Sequence, residues 1–379
     1  MKIIHICLAA SYTDGLKYQD NMLAEQNARD GHEVTVISNC DHYVDGVLTK
    51  TVPCDILLEC NVRLIRASFL PLFGKKLSRR LKYVKGLSEI ICSIQPDVIF
   101  YHGFVGVGIF TVIQYKKANP TVRLVFDSHA DVHNASNSFI SDVVLHRGIY
   151  GAIARYASKW ADSIYYVSME CKDFLIDRYR INDSKLTYLP LGGIVRDMTK
   201  KKCARLSIEA RYGLCSDDVI LFHSGKLNSQ KKTDELVAAF ERVGGKNQKL
   251  FIVGKIEESL SEIKTRVALN SNIYYVGWRV GDEFEELLLA ADVYLQPGTQ
   301  SATLQHAICC GCIVCIFPYE SHSIYLDGNG FYVKNAADIA SVLNLIERNE
   351  INLTAMKEAS FSLGRSILDY EKLARLFVS

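Results

Sequence analysis

A chain of 379 residues is too long for one ordinary domain and suits two of roughly 150–200 residues each. Hydrophobic residues at 49% and charged residues at 23% allow each domain a sizeable core. With 44 basic against 42 acidic side chains the formal charge is only +2, which excludes a general electrostatic affinity for nucleic acid, so any basic function must be local.

The chain opens with MKIIHICLAASYTDG. Lys2–Ala9 reads as a first core strand, because its short apolar run ends in polar turn residues and lacks the form of a secretory signal. Gly15 lies in the turn between this strand and a helical stretch, Gln19–Asp30. A tight turn alone would favour glycine there. Further strands are expected at His32–Ser38, Asp97–Tyr101, Arg123–Phe126 and Ser163–Val167, with helical patterns between them, including Phe73–Ser93. Such alternation predicts a parallel sheet with helices on both faces.

Within this half, Leu72–Lys85 interleaves Lys75, Lys76, Arg79, Arg80, Lys82 and Lys85 with Leu72, Phe73, Leu77, Leu81 and Val84. The pattern fits a helix lying on an anionic membrane surface, and equally a solvated helix with its apolar face in the core. Val98–Tyr115 carries no charge, but His102, Thr111, Gln114 and three glycines interrupt it. It reads as strand, glycine loop and helix rather than a membrane span. LVFDSHADVHN, Leu124–Asn134, then sets Asp127, His129, Asp131 and His133 at or just past a strand end. Four titratable groups in that place favour a functional site over a satisfied loop histidine, with a His–Asp–His metal cluster as the alternative.

Leu189–Asp197, LPLGGIVRD, reads as the linker, since proline followed closely by two glycines breaks regular structure. The second half repeats the plan. Strands are expected at Val219–His223, Leu250–Val253, Ile273–Val276, Val293–Gln296 and Ile313–Phe317, and helices at Thr233–Val243, Phe284–Ala290 and Thr303–Cys310. Leu353–Phe377 reads as helical. The fold class is therefore α/β, with two Rossmann-like halves, and ligands in such open sheets bind at the carboxyl ends of the strands.

Two segments of the second half carry candidate chemistry. In FHSGKLNSQKKTDELVAAF a strand ends at His223, Gly225 makes a turn, and Lys226 and Lys231 precede a helix that Thr233 could cap. Free amides at a helix start and two ammonium groups suit an anion such as a diphosphate, although a solvated basic loop would look the same. In VYLQPGTQSATLQHAICCGCIVCIFPY a strand runs into Gly298, Thr299, Gln300, Ser301, Ala302 and Thr303, which offer amides and hydroxyls to phosphate or form a tight packing turn. The 12 cysteines include Cys7, Cys92, Cys309, Cys310, Cys312 and Cys315 in or beside apolar runs, where cysteine acts as a small buried hydrophobe. The C-x-x-C spacings of Cys309, Cys312 and Cys315 lack a second pair to complete a zinc site, so neither metal nor a disulfide framework is expected and a reducing cytoplasm fits.

Taken together the motifs resemble the glycosyltransferases of the GT-B fold, specifically the large family four of bacterial polysaccharide and glycolipid synthesis. LAEQNARDGHEVTVIS is similar to the family's first helix, Gly-His turn and second strand. SGKLNSQKKTDELVAAF is similar to its glycine and cation pattern, with Lys226 in place of the usual arginine and Lys231 as the expected lysine. Asn272–Gly298 and the Gly-x-Gly turn in YLDGNGFYV, Tyr325–Val333, resemble later elements. The resemblance covers nearly the whole chain. It implies two domains facing a central cleft, an acceptor-binding domain over 1–190, a nucleotide-sugar domain over 198–352, and a C-terminal helix over 353–379 crossing back to the first domain.

The family usually has two glutamates eight positions apart, contacting donor sugar and ribose. Counting back from Gly311, Gly298 and His306 stand in those places, with Gln305 adjacent. The resemblance implies transfer of a sugar from a UDP- or GDP-sugar to a saccharide or lipid-linked acceptor, with retention. Lys226, Lys231 and His129 would be the catalytic residues, and Gly15, Gly225, Gly298, Thr299, Gln300, Ser301, Ala302, Thr303, Gln305 and His306 the donor contacts. No cofactor is implied, and no metal, since the chain has no D-x-D triplet. A cytoplasmic location follows, peripheral at the membrane if 72–85 binds it. Two other readings stand beside this one: a sugar-nucleotide epimerase of the same fold, and a non-catalytic partner in a glycosyltransferase complex.

Overall fold

The structure is a computed structural model that describes residues 1–44, 47–71, 79–131 and 146–378. It divides into two compact units, one formed by Met1–Pro190 with Tyr370–Ser379 and the other by Leu191–Asp369.

The first unit contains β1 (Lys2–Cys7), β2 (Glu33–Ser38), β3 (Asp41–Val44), β4 (Val47–Lys50), β5 (Cys54–Leu57), β6 (Val62–Arg66), β7 (Val98–His102), β8 (Arg123–Ser128), β9 (Ser163–Tyr166) and β10 (Leu186–Tyr188). Eight of them form one sheet in the order β10-β9-β8-β7-β1-β2-β6-β5. All pairs are parallel except β5–β6. The central strands are nearly unbroken apolar runs, as a sheet covered on both faces requires. On one face Ile4, Ile6, Ile99, Tyr101, Leu124 and Phe126 pack against Leu87, Ile91, Ile109 and Val112 of helices Leu87–Ile94 and Gly108–Ala118. The chain leaves β1 toward β2 on one side and returns as β7 on the other, so the strand order reverses beside β1. The carboxyl ends of β1 and β7 therefore flank a natural ligand position.

Two expectations fail here. Strands β3 to β5 have no signature in the sequence, because they are short and largely solvent-facing; β6 is not marked out either, though four of its five residues are buried. β5 has three exposed residues of four, and the β3–β4 hairpin exposes Tyr43, Val44, Val47 and Leu48. An amphipathic pattern needs one buried face to be visible. The expected helix over 73–93 is also broken: Lys82 and Gly86 have φ of 49° and 75°, and Val84 bridges Phe69 in antiparallel fashion. Among its described residues, 79–81 and Leu87–Ile94 are helical. Leu72, Phe73, Lys75, Lys76 and Leu77 of the basic stretch lie outside the described residues. Of its described cations, Arg79 pairs with Asp41, and Lys82 Nζ donates to the Ala9 carbonyl at 3.0 Å.

The second unit contains β11 (Val219–Leu227), β12 (Gln248–Ile256), β13 (Ile273–Gly277), β14 (Val293–Gln296), β15 (Ile313–Ile316) and β16 (Gly330–Tyr332), all parallel, in the order β13-β12-β11-β14-β15-β16. Its reversal point lies between β11 and β14. Two buried polar groups tie its helices down. Lys201 Nζ spends three donors on the carbonyls of Leu289, Ala291 and Cys310, where helices Gly281–Ala290 and Thr303–Cys309 end. Asp292 takes Ile220 N–H at 2.8 Å and pairs with Arg205 and Lys357. Burial alone would raise its carboxyl pKa, but Lys357 and Arg205 outweigh that and hold it below the usual range.

The stretch 353–377 is not one helix. It is a helix over Leu353–Leu363, a π turn over Gly364–Leu368 and a short helix over Tyr370–Leu373. The break follows from anchoring in the second unit: Ser360 Oγ donates to the Cys312 carbonyl, and Gly193 N–H to the Leu368 carbonyl at 2.8 Å. Only residues from Tyr370 onward join the first unit, so the body of the expected crossing helix stays in the second.

Candidate functional site

In the second unit the site is built at the reversal point. β11 continues past His223, its expected end, to Leu227. His223 is fully buried, with Nδ1 2.8 Å from the Leu295 carbonyl and Nε2 3.0 Å from Thr233 Oγ1. A carbonyl only accepts, so Nδ1–H donates to it. Burial holds the pKa at about 4, so the ring is neutral and Nε2 accepts the Thr233 hydroxyl. Thr233 therefore does not cap its helix. Lys232 occupies the cap position with φ 54° and no side-chain cap.

Gly225 and Gly254 are register partners on β11 and β12, and a Cβ on Gly254 would come 1.9 Å from the Gly225 carbonyl. Each is followed by a lysine. Lys226 and Lys255 are therefore neighbours at the strand ends, both exposed, and neither has a carboxylate within ion-pair distance among the described residues. Lys231 differs from both. It is nine-tenths buried, and its ammonium donates to the Thr299 carbonyl at 2.7 Å and the Gln300 carbonyl at 2.9 Å. Desolvation pulls its pKa down to about 8.

The loop after β14 is clamped to the same turn. Thr299 N–H donates to the Gln230 carbonyl at 3.0 Å, and a Cβ on Gly298 would lie 2.1 Å from that oxygen. Gln300 Nε2 donates to Ser321 Oγ, and Ser301 Oγ to Thr303 Oγ1. Ala302 is exposed just before the helix. Gln305 is buried and donates to Tyr325 Oη at 3.1 Å, while His306 is half-buried. Two buried atoms, Gln296 Nε2 and Gln305 Oε1, have no partner among the described residues. Gly225, Lys231, Gly298, Thr299 and Gln300 thus form one contact set. Lys226 stands beside it on the strand edge.

In the first unit Asp127 is the next-to-last residue of β8 and His129 follows its end. Asp127 is fully buried. Its Oδ2 lies 2.6 Å from His102 Nδ1 and 3.4 Å from His129 Nε2, and its Oδ1 accepts Gly103 N–H at 2.9 Å. Burial would raise its pKa, but the two histidines outweigh it and hold the carboxyl well below the carboxylate range. His129 is partly exposed, and the carboxylate of Asp127 beside it holds its pKa above the usual value. The ligand atoms of His102, Asp127 and His129 lie within 4.8 Å of one another. A cation there would displace the proton of the 2.6 Å bond. Asp131 is half-buried, and His133 lies outside the described residues. Gly15 has φ 79°, and a Cβ at that position would meet only open space, so backbone conformation alone selects glycine.

Sequence reasoning missed Arg66, which holds the Gly15 loop through Asp14 at 2.8 Å and the Tyr12 carbonyl at 3.0 Å. It also missed His5, Asn27 and the role of His102. Only the neighbouring positions of β1 and β7 bring those groups together, and no spacing along the chain reports that.

Comparison with known proteins follows the same division. Glycosyltransferase Family 4 matches residues 21–192, and Glycosyl transferases group 1 matches residues 205–362. An uncharacterised glycosyltransferase of Methanocaldococcus jannaschii is 22% identical over 249 residues, 60% of this chain. The match spans 62% of the length of that relative. Among solved structures, Anabaena HepE in complex with UDP has a TM-score of 0.69 at 12% identity, covering 100% of this chain and 98% of that one. A sucrose-phosphate synthase from Thermosynechococcus elongatus gives 0.68 at 14% identity, covering 99% and 96%. WaaG, a glycosyltransferase involved in lipopolysaccharide biosynthesis, gives 0.66 at 16% identity and full coverage of both, 100% and 100%. At these identities the structures speak for the fold. Two family matches, one to each unit, together with two parallel sheets that both reverse order at a candidate site, place the chain in the family-four glycosyltransferases of the GT-B fold.

Proposed function

We propose that the protein moves a sugar from a UDP- or GDP-sugar to an acceptor hydroxyl in surface polysaccharide or glycolipid synthesis, with retention and without a metal. The observation that carries this reading is Lys231. A buried ammonium that fastens Thr299 and Gln300, beside the exposed pair Lys226 and Lys255, concentrates positive charge at the reversal point of the second sheet. A nucleoside diphosphate is a leaving group of matching charge. Anabaena HepE has been solved with UDP and with UDP-glucose, which supports that donor class.

In the reaction the bond from the anomeric carbon to the diphosphate breaks and a bond to the acceptor oxygen forms on the same face. The acceptor proton passes to the departing diphosphate. The lysines stabilise charge that grows on the phosphates, and preorganised charge of this kind is the largest single contribution in many enzymes. His129 is the proposed contact to the donor sugar. Gly298 and His306 stand where the family usually has glutamates, so Gln305, His306 and the polar residues Thr299–Thr303 are the proposed replacements.

The test is a screen of UDP- and GDP-sugars with saccharide and lipid-linked acceptors, run with and without excess chelator. Transfer with retained anomeric configuration that survives chelator supports the reading. Binding of donor without turnover would favour a non-catalytic partner, and conversion of the donor without acceptor would favour an epimerase. Loss of activity with chelator and rescue by magnesium would move attention to His102, Asp127 and His129.

A further inference from the structure

The groups around His129 continue inward through the first unit. Asn27 Nδ2 donates to the Ala374 carbonyl at 3.1 Å, and Asn27 Oδ1 lies 3.1 Å from His5 Nε2. His5 Nδ1 lies 3.1 Å from His102 Nε2, and His102 Nδ1 lies 2.6 Å from Asp127 Oδ2. One unbroken line therefore joins Ala374 to Asp127 and, at 3.4 Å, to His129. His5 and Asn27 are fully buried and His102 is 6% exposed, so water does not complete these bonds.

The protons on this line follow from its fixed end. A backbone carbonyl only accepts, so Asn27 presents its amide nitrogen to Ala374 and its oxygen to His5. That oxygen also only accepts, so the His5 proton sits on Nε2. His5 is neutral, because burial holds its pKa at about 3. Its Nδ1 is then bare and accepts from His102 Nε2–H. One further proton lies between His102 Nδ1 and Asp127. Asp127 accepts Gly103 N–H on Oδ1 and faces His129 Nε2 with Oδ2, so the ring orientation of His102 is fixed from both sides.

Residues 370–378 close the inner end. Phe377 meets His5 edge-on at 5.8 Å and Phe100 at 4.6 Å, Phe100 stacks on His102 at 4.3 Å, and Tyr165 Oη donates to the Leu376 carbonyl at 3.0 Å. The charges that act on this line are Asp127 and His102 on His5, and Asp127 and Asp20 on His129.

We propose that His5, Asn27 and the Ala374 carbonyl are positioning groups for His129: they fix the His102 ring with Nε2–H toward His5 and Nδ1 toward Asp127, so that Asp127 holds the His129 ring with Nε2 toward the carboxylate. The functional part rests on the reading of His129 as a sugar contact. The proton pattern stands apart from it.

Nitrogen NMR of histidine-labelled full-length protein reads the pattern directly, over about pH 6–8 where a free histidine titrates. The expected result is His5 protonated on Nε2 alone and His102 carrying a proton on Nε2 throughout. A His5 protonated on Nδ1, or a His102 without a proton on Nε2, overturns the proposal. His5→Gln keeps an acceptor toward His102 and a donor toward Asn27, whereas His5→Phe fills the space with neither. His5→Gln should keep the wild-type pH–rate profile. His5→Phe should lose about tenfold in kcat, with little change in donor KM and a shifted alkaline limb, as misplacement of a reacting contact predicts. Equal losses in both variants would reduce the line to packing and overturn the positioning role. If His5→Phe does not fold, the His102 signals in His5→Gln decide: a retained Nε2 proton supports the proposal and its loss overturns it. If the wild type transfers no sugar under any condition, the function falls while the NMR result still judges the proton pattern.

Discussion

Replacing Lys231 with methionine removes the ammonium and keeps most of the buried stem. Two opposing contributions to stability can be weighed. The fall in pKa from 10.5 to about 8 means that holding the charge in its buried site costs about 3 kcal/mol. Against this, the two bonds to the Thr299 and Gln300 carbonyls each contribute about 1.5–3 kcal/mol, the range for charged donors. The two nearly offset, so Lys231→Met should lose less than about 3 kcal/mol of stability. Loss of a charge aimed at the departing diphosphate costs roughly 3 kcal/mol in the transition state, or about a hundredfold in rate. Urea unfolding gives the first quantity, and kcat/KM for transfer gives the second. The rate should also fall above about pH 8 as Lys231 loses its proton, unless bound diphosphate raises that pKa. A folded Lys231→Met enzyme with wild-type kcat/KM would refute this assignment and leave Lys231 as a clamp between two loops.

Other outcomes follow from the buried charges. His5 and His223 have folded pKa values near 3 and 4, below the ordinary 6.5, so the unfolded chain binds more protons in that interval. Their contribution to stability is complete above pH 6.5 and falls as pH drops, by about 1.4 kcal/mol per unit for each ring. Calorimetry between about pH 7 and 5 should show that slope, and a flat profile in His5→Gln, His223→Gln and wild type alike would contradict it. Asp292→Ala should cost about 3–5 kcal/mol, because Arg205 and Lys357 would keep buried charges without their partner; a denaturant midpoint close to wild type would show that the pair is solvated. We further propose that the basic stretch contacts anionic membranes, adding about 1 kcal/mol per exposed cation. Sedimentation with anionic liposomes at low salt should weaken when Lys75, Lys76 and Arg80 are neutralised, and no binding by wild type would point to a soluble acceptor.

The central parallel strands were legible because a strand buried on both faces is a continuous apolar run, and the helix over Thr233–Val243 shows the same residues in sequence and structure. The outer parallel strands β6, β10 and β16 were not marked out, and neither were β3 to β5, whose exposed residues carry no periodic signal. Of the basic stretch Leu72–Lys85 only 79–85 are described: 79–81 are helical as expected, and the positive φ at Lys82 ends the helix there. At the second-unit site Gly225, Lys231 and Gly298 could be singled out from the chain alone. What could not be read is that the Lys231 ammonium binds two carbonyls across 68 and 69 residues of sequence. The same limit hid His5 and Asn27, whose partners lie 97 and 347 residues away.

The second unit is a continuous insertion within the first, and its two ends lie side by side. Gly193 and Asp369 form a parallel bridge, and Gly193 N–H bonds the Leu368 carbonyl. During synthesis this order matters. β1 leaves the ribosome first, but the residues that cover His5 and Phe100 emerge only after the whole second unit, at about 5–20 residues per second. The residues that cover His5 and Phe100 therefore reach them only after the second unit has been made, many seconds after β1, so the line of bonds to His129 closes late.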